Sequence, residues 1–365
     1  RQIAAATSVT SIGDTFARNT AFNRGVGGGA GGAIHTARLD ATEGTFVGNY
    51  GEFQAGAIAS GSTSIDRSTF RGNYTDNNGG AIYAASPSEP VVVRNSTFVD
   101  NTAGAFGNGA GGGHILVYAG SADATLRIVS STFVQPTAAT YPSVGGLHYV
   151  VGTPGNDATV EVTDSIFVGG SCRLDPASAS TTTTALGTSY ADSASDPSND
   201  CPGTSVTTGD LDLQPLADNG GPTETIALGE GSVAIDATTG VLNDGVCATP
   251  TDQRGSPRPS RAACDIGAFE VYRDPNVTLS VSSGDSTTFT YGDTATITAV
   301  VATGGVGASD GTRVRLELLG TPVADCPLIG GTCEIPLTDL DAGVYAYDAI
   351  FPGDLVWDAT TATIS

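Results

Sequence analysis

The chain has 365 residues, a length that favours two or three domains over one compact core. It has 15 basic and 38 acidic residues, no lysine and a formal net charge of −23, which excludes nucleic acid and anionic lipid as electrostatic partners and excludes lysine-dependent catalysis. Glycine, at 50 residues, is well above the usual ~7%, and no run approaches the ~20 apolar residues of a membrane span, so the composition predicts many short strands joined by tight turns.

Residues 12–170 contain a repeat of two alternating half-units. One half-unit is a short β-type run that ends in phenylalanine, and the other is glycine followed by an aliphatic residue. The phenylalanines are Phe16, Phe46, Phe70, Phe98, Phe133 and Phe167, and the aliphatic residues are Ile34, Ile58, Ile82, Ile115 and Leu147. The undecorated repeat, from Phe46 to Phe70, is 24 residues long. Half of that length cannot hold a helix, a strand and two turns, but it does hold one or two strands with tight glycine corners, so residues 1–170 are predicted to form a right-handed parallel β-helix.

The same repeat predicts stacked columns of side chains. Each phenylalanine is expected to point inward and to stack on the phenylalanine of the next coil. Asparagine follows three residues later, at Asn19, Asn49, Asn73 and Asn101, where it favours tight turns and a hydrogen-bonded ladder. Pro136 and Gly170 stand at the next two positions, so we expect the ladder to end early. Longer connections, such as 25–32 and 86–90, are expected to project as loops and are candidates for binding.

The alternation of GGAI with STFxxN, as in Gly79–Ile82 and Ser96–Asn101, resembles the polymorphic outer-membrane-protein repeats of bacterial β-helical surface proteins. The resemblance covers about 160 residues. It implies a β-helix at a bacterial cell surface and implies no catalytic residues.

Residues 171–275 differ in texture from the repeat. A stretch rich in serine, threonine and alanine, 176–208, is predicted to be a loop. The blocks LQPLADNGGPTETIALGEGSVAIDA (213–237) and DQRGSPRP with CDIGAFE (252–270) resemble the C-terminal signature of the choice-of-anchor family, which implies no activity. A solenoid must cover the open core of its last coil. We therefore expect this segment to cap the β-helix, and the residues expected in a final coil and lid are Ile226, Leu228, Val233, Ile235, Ile266 and Phe269.

Residues 276–365 alternate apolar and polar side chains in several short runs separated by turn residues, which predicts a β-sandwich. The segment resembles bacterial Ig-like repeat domains, including the FPGD sequence at 351–354. Asp341, Gly343 and Tyr345 fit a tyrosine corner.

The six cysteines fall into three sequence-local pairs, although six cysteines permit 15 pairings. The predicted pairs are Cys172 with Cys201, Cys247 with Cys264, and Cys326 with Cys333. No pair has CxxC spacing and no histidine lies near a cysteine, which favours disulfides in an oxidising extracellular compartment over zinc. Because the chain begins with Arg1 and lacks methionine, we expect a processed or truncated form.

Two sets of residues are candidates for a metal site. His35, His114 and His148 flank the glycine corners and are expected to face outward on one sheet, with Tyr83 and Tyr149 nearby as glycan contacts. A solvated polar face is the favoured reading, because no carboxylates align with His114 and His148. Calcium is the other candidate ion, and no further cofactor is predicted. The oxygen ligands of calcium would be Asp210, Asp212 and Asp218, or Asp339 and Asp341.

An enzyme is also weighed, because polysaccharide lyases and hydrolases use parallel β-helices. Their chemistry needs carboxylates or arginines that converge in one groove. Four aspartates, Asp40, Asp66, Asp100 and Asp164, occupy different register positions, and Arg67, Arg71 and Arg94 are predicted to be lone exposed residues. An outward row of threonines is predicted at Thr15, Thr45, Thr69, Thr97 and Thr132, where β-branched residues suit an exposed strand.

The favoured interpretation is a non-enzymatic extracellular surface protein with an adhesion or structural role, in which loops on a rigid solenoid are presented on an Ig-like stalk. One alternative is a fibre subunit joined by strand donation or end-to-end packing. A second alternative is a glycan-active enzyme. The predicted partners are host, cell-surface or self contacts, including glycans, and nucleic acid is excluded.

Overall fold

The structure is a computed structural model that describes residues 8–22, 29–85, 87–104, 111–120, 123–135, 147–151, 156–169, 172–175, 181–185, 187–192, 201–238, 247–260, 263–271, 278–282, 294–303, 306–307, 312–338, 345–352 and 360–364. The chain divides into two compact units, Arg1–Glu270 and Val271–Ser365. None of the helices among these described residues is both long enough and apolar enough to span a membrane.

The first unit contains a coil whose successive turns pair in parallel along three sheets. The long sheet consists of β1 (Ser8–Ile12), β4 (Ile34–Thr42), β7 (Ile58–Asp66), β10 (Ile82–Ala85), β11 (Val91–Arg94), β14 (Ile115–Ala119), β15 (Ala124–Val129), β17 (Leu147–Val151), β18 (Ala158–Thr163), β20 (Arg173–Asp175) and β21 (Thr181–Ala185). The Phe sheet consists of β2 (Thr15–Ala17), β5 (Thr45–Val47), β8 (Thr69–Arg71), β12 (Thr97–Val99), β16 (Thr132–Val134), β19 (Ile166–Val168), β22 (Tyr190–Ala191) and β23 (Thr204–Ser205). The short sheet consists of β3 (Thr20–Ala21), β6 (Tyr50–Gly51), β9 (Tyr74–Thr75) and β13 (Thr102–Ala103).

The core of the coil is built from columns of identical side chains. The six phenylalanines of the Phe sheet form one stack, in which neighbouring ring centroids lie 4.5–5.1 Å apart. Ile34, Ile58, Ile82 and Ile115 lie in register on the opposite long sheet and are buried. The ring spacing matches the ~4.8 Å separation of paired strands, so each coil repeats the contacts of the one before it. This arrangement confirms the all-β, parallel β-helix prediction.

The asparagine ladder runs through four coils. The side-chain amides of Asn19, Asn49 and Asn73 each donate to the Oδ1 atom of the next asparagine at 2.8–2.9 Å. The Oδ1 atoms of Asn49, Asn73 and Asn101 also each accept a backbone N–H of the preceding coil. In the fifth coil, Gln135 donates from Nε2 to the Asn101 carbonyl instead. The ladder therefore gives the buried amides of Asn49 and Asn73 partners from the coils above and below.

A second ladder of serines borders the Phe sheet. The hydroxyls of Ser68, Ser96, Ser131, Ser165 and Ser189 each accept a backbone N–H of the preceding coil at 3.0–3.2 Å. The residue before Ser68 is Arg67, at a φ of 47°, and Asn95 holds the same place before Ser96 at 44°. The left-handed backbone there turns the chain from the long sheet into the Phe sheet. The buried hydroxyls satisfy the N–H groups that this corner leaves without a strand partner.

The coil continues beyond residue 170, where the sequence predicted that it ends. Strands β20 and β21 extend the long sheet, and β22 and β23 extend the Phe sheet. Ala191 pairs with Phe167 and so occupies the phenylalanine position, while Ser189 retains the serine of the ladder. The prediction of a loop over 176–208 was wrong for its described residues, because the repeat loses its phenylalanine there and keeps its backbone register. The Cys172–Cys201 disulfide lies in the hydrophobic core of this last part of the coil.

The segment that follows the coil packs on its side. It contains α1 (Thr208–Leu211), β24 (Leu213–Ala217) and β25 (Thr225–Leu228), with β24 and β25 antiparallel. The described residues of 221–270 (221–238, 247–260 and 263–270), which we call the clamp, contact the outer side of the Phe sheet across its third to sixth coils. The expected final coil and lid is therefore corrected to a lateral clamp. Val233, assigned to that lid, is 41% exposed.

The second unit contains two four-stranded antiparallel sheets around one hydrophobic core. One sheet consists of β26 (Thr278–Ser282), β27 (Ala295–Thr303), β28 (Val306–Gly307) and β31 (Thr332–Leu337), and the other of β29 (Arg313–Leu318), β30 (Thr321–Pro327), β32 (Tyr347–Phe351) and β33 (Thr360–Ile364). Ile297, Val314, Leu316 and Phe351 are buried in the core. Disulfides join Cys326 to Cys333 here and Cys247 to Cys264 in the clamp. Three disulfides in one chain fit an oxidising compartment.

Candidate functional site

The aspartates considered as calcium ligands serve local turns. Asp210 accepts the Thr207 N–H and hydroxyl in a capping box at the start of α1, and these hydrogen bonds lower the pKa of the Asp210 carboxyl. Asp212 accepts the Gln214 side-chain amide, and Asp218 accepts the Gly220 N–H. Asp339 and Asp341 lie outside the described residues. Within the described part of the chain, no group of three or more histidines, cysteines or carboxylates is arranged to hold a metal.

His114 is buried, which corrects the expectation that it faces outward. It is 1% exposed and lies against the stack, with its ring centroid 6.0 Å from that of Phe98 and 5.7 Å from that of Phe133. The Asn101 amide donates to His114 Nδ1 at 3.2 Å, which leaves the proton on Nε2. Nε2 has no hydrogen-bond partner among the described residues. Burial lowers the pKa of His114 to about 3, so the ring is neutral at physiological pH.

The other two histidines occupy a different row of the long sheet. His35 pairs with Ala59, and His148 pairs with Leu116 and Arg173, so neither is in register with His114. His114 precedes the aliphatic residue of its coil, Ile115, and points inward. His35 and His148 instead follow the aliphatic residue of their coils and so lie one register position further along the strand. Tyr83, expected as an exposed glycan contact, is 8% exposed. The histidines therefore do not form one outward site.

The arginines expected to be alone are mostly paired. Arg67 contacts Glu43 at 2.7 Å, and Arg71 contacts Glu224 at 3.4 Å. The serine–threonine–phenylalanine corner places both arginines beside carboxylates of neighbouring elements. Arg94 is exposed and has no ion pair among the described residues.

A surface depression of about 260 Å³ lies beside the long sheet. Its charged lining residues are Arg38, Asp40, Glu89, Arg94 and Arg127. Arg38 binds both Asp40 and Glu89, so neither carboxylate is available as an acid or base without breaking an ion pair. The other aspartates named with Asp40 do not line this depression.

A buried polar cluster lies in the clamp and is built around an ion pair. Arg258 Nη1 contacts Glu270 Oε2 at 3.1 Å, with both side chains 1% exposed. Arg258 also donates to the Asp265 and Gly267 carbonyls at 2.7 Å, and Glu270 accepts the N–H groups of Ser260 and Asp265. Burial raises the pKa of Glu270, while Arg258 and these donors act in the opposite direction. The pair orders the backbone around it.

A second ion pair fixes the adjoining turn. Asp252 is 0% exposed and accepts the N–H groups of Arg254, Ser256 and Glu270 at 2.8–3.1 Å. Arg254 returns to Asp252 at 2.7 Å and covers the ring of Phe269, with 3.7 Å between its guanidinium carbon and the ring centroid. This is a favourable cation–π distance. The DQR sequence thus closes its own turn and ties it to the segment that ends in Phe269.

Gln253 connects the clamp to the threonine row. Its Nε2 atom donates to Thr69 Oγ1 at 2.9 Å, and Thr97 Oγ1 donates to Gln253 Oε1 at 2.6 Å. The Ala268 N–H donates to Thr132 Oγ1 at 2.9 Å. These three threonines are buried, whereas Thr15 is exposed and Thr45 is half-buried. The threonine side chains face outward, as predicted. The prediction that they are exposed is wrong where the clamp covers the row.

Asp164, beside the clamp, has a carboxyl group whose pKa is strongly raised. It is 7% exposed, and burial raises its pKa to about 6, against the opposing effects of Arg258 and the Thr188 backbone. Its carbonyl accepts the Gly267 N–H at 2.8 Å. A side chain at Gly267 would meet Thr132 and Ile166, so no substrate-sized space separates the clamp from the coil at this point. We assign the cluster to packing of the clamp on the coil.

Sequence reasoning missed the serine ladder and the position of the clamp. A signal for the ladder is present, because serine precedes Thr69, Thr97, Thr132 and Ile166 in turn. The position of the clamp has no repeated signal, since its contacts join residues about 155 apart in sequence.

No family model matches the chain, and no curated protein or solved structure shows significant similarity to it.

Proposed function

We propose that this chain is a non-enzymatic extracellular surface protein whose coil is a rigid scaffold for adhesion or structural contacts. Stacked rings, two hydrogen-bonded ladders and a lateral clamp favour a fixed shape. The three disulfides favour a location outside the cytoplasm. The second unit is proposed to be an Ig-like stalk, on the support of its two antiparallel sheets.

The observation that carries the proposal is the use of the buried polar cluster. Arg258, Glu270, Asp252 and Gln253 bind backbone groups, one another or threonines of the coil. Active sites instead hold charged groups toward a cleft where substrate binds. These four polar residues of the clamp thus support a structural role.

Surface labelling tests the location. Antibody labelling of intact source cells, followed by protease treatment, should detect the chain on the surface and remove it. Recovery of a protected chain with six free thiols from the cytoplasm would contradict the proposal.

An activity screen tests the non-enzymatic role. The oxidised full chain should release neither reducing ends nor unsaturated products from neutral or acidic polysaccharides. Turnover that is lost in Asp40→Asn or Arg94→Ala would identify an enzyme that uses the surface depression, and would contradict the proposal.

A fibre subunit is the second candidate, because the first two described strands of the coil carry apolar side chains that are exposed or half-buried. Ile12 is 68% exposed, and Phe16 at the end of the ring stack is half-buried. Electron microscopy of the purified protein should show long fibres of fixed repeat if coils join end to end, and discrete particles otherwise.

A further inference from the structure

The outer side of the short sheet carries a row of aromatic rings. Phe22 and Phe53 are 56% and 47% exposed, and they are the only exposed large hydrophobic residues of the described chain that are aromatic. Tyr50 and Tyr74 are half-buried, Phe22 contacts Tyr50, and Phe53 follows Tyr50 three residues later in the same coil. We call Phe22, Tyr50, Phe53 and Tyr74 the aromatic platform. Apolar residues exposed together in one patch mark a contact site more often than single scattered ones do.

The geometry of the platform follows the coil. Tyr50 and Tyr74 pair in register, and their rings are stacked with centroids 5.5 Å apart and 12° between their planes. Phe22 lies on the other side of Tyr50, with 6.0 Å between the centroids and an edge-to-face arrangement. The three rings therefore form a line that runs across successive coils, along the axis of the solenoid.

Carboxylates lie next to Tyr50, at the centre of the platform. The Tyr50 hydroxyl donates to Asp76 Oδ2 at 2.6 Å, and burial, followed by the bond to Asp76, raises the pKa of Tyr50 to about 12. Glu52 lies between Tyr50 and Phe53 in sequence and is half-buried. The Tyr50 ring is thus held by its hydrogen bond to Asp76 and its stack with Tyr74 before any ligand binds, which reduces the ordering cost of binding.

This combination fits one class of partner. The axial C–H groups of a pyranose ring pack on an aromatic face, and its hydroxyls donate hydrogen bonds to carboxylates such as Asp76 and Glu52. A polyanion would be repelled by these carboxylates and by the net charge of −23. An extended chain of sugars can contact several rings, because the platform repeats with the ~4.8 Å rise of the coil.

We propose that the aromatic platform binds a neutral polysaccharide that lies along the solenoid axis. The inference rests on the proposed function as an extracellular surface protein and names the ligand class of its adhesive surface. Phe22 and Phe53 supply the exposed contact area, while Tyr50 and Tyr74 form the stacked centre.

Affinity electrophoresis of the oxidised full chain tests the proposal. The gels contain hydroxyethylcellulose, galactomannan or soluble β-1,3-glucan as neutral probes, and polygalacturonate as the acidic probe. The wild type should be retarded by at least one neutral probe and not by polygalacturonate. Phe22→Ala/Phe53→Ala should weaken the retardation at least tenfold. Tyr50→Phe, which keeps the ring and loses the bond to Asp76, should weaken it less.

Leu319→Ala is the matched control, because Leu319 is 91% exposed in the other unit and should leave the retardation unchanged. Circular dichroism of each variant confirms that the coil is folded. The proposal is overturned if no neutral probe retards the wild type, if polygalacturonate binds more strongly, or if the double variant binds as the wild type does. A double variant that only abolishes self-association, measured by light scattering, would assign the platform to a contact between copies and would also overturn it.

Failure here is separable from failure of the proposed function. Surface labelling of the chain without binding to any neutral probe would contradict the platform proposal alone. Binding to a neutral probe by a chain confined to the cytoplasm would contradict the proposed location and leave the platform proposal intact.

Discussion

The coil and the clamp both bury polar side chains against hydrophobic ones, but they do so by different means. In the coil, Asn49 and Asn73 repeat one hydrogen bond at each turn, 24 residues apart. In the clamp, Gln253 and Glu270 each have a unique set of partners. A repeated contact is supported by its copies on either side, whereas a unique contact depends on its own partners. Substitutions in the coil and clamp should therefore differ in how far their effects spread.

The largest expected effect is in the ring stack. Phe98→Ala should lower the free energy of unfolding by about 4 kcal/mol, because it removes a fully buried ring between two neighbours. Phe16→Ala is the control and should cost clearly less, since Phe16 is half-buried and is stacked on one side only among the described residues. Guanidinium unfolding measures both. Equal losses would show that stacking on both sides adds nothing.

The buried ion pair gives the next largest effect. Glu270→Gln should lower the free energy of unfolding by about 3 kcal/mol, because Arg258 would remain charged and buried. Glu161→Gln, which breaks the partly exposed pair with Arg127, should cost less than about 1 kcal/mol. Hydrogen exchange should rise at the Ser260 and Asp265 amides and stay slow in the Phe sheet. Faster exchange throughout the coil would contradict the independence of the two regions.

His114 makes the coil sensitive to acid. Its pKa is about 3 in the folded chain against ~6.5 when unfolded, so the unfolded chain binds the proton first as pH falls. Stability is lost from about pH 6.5 downward, and the loss at pH 5 is about 2 kcal/mol. Asp164 has the opposite effect on stability, because its pKa is raised in the folded chain. Its contribution to the free energy of unfolding is present at low pH and is lost as pH rises through about 6.

His114→Gln isolates the contribution of the histidine, because the amide can still bind Asn101 and does not titrate. Between pH 7 and pH 5, this variant should gain about 2 kcal/mol relative to the wild type, measured by guanidinium unfolding at both pH values. Parallel pH profiles for the two proteins would show that His114 is not buried in its neutral form.

The repeat made much of the coil predictable and left the clamp unpredictable. The stacked positions of Phe46, Phe70 and the asparagines could be predicted because the same local sequence pattern recurs in each coil. The coil beyond residue 170 was missed because Ala191 replaces phenylalanine. The direction of His114 was missed because the inward row at the glycine corner has no repeated large residue. Clamp contacts such as Gln253 with Thr97 follow from tertiary packing across 156 residues, which local propensity and periodicity do not encode.

The most direct test of the lateral clamp is a double-mutant cycle between Gln253 and Thr97. Gln253→Ala and Thr97→Val should show a coupling energy of about 1 kcal/mol or more, because each removes the partner of the other at 2.6 Å. Thr45→Val is the control from the same row outside the clamp, and it should show no coupling to Gln253→Ala. A coupling near zero for Thr97, or an equal coupling for Thr45, would contradict the placement of the clamp on the threonine row.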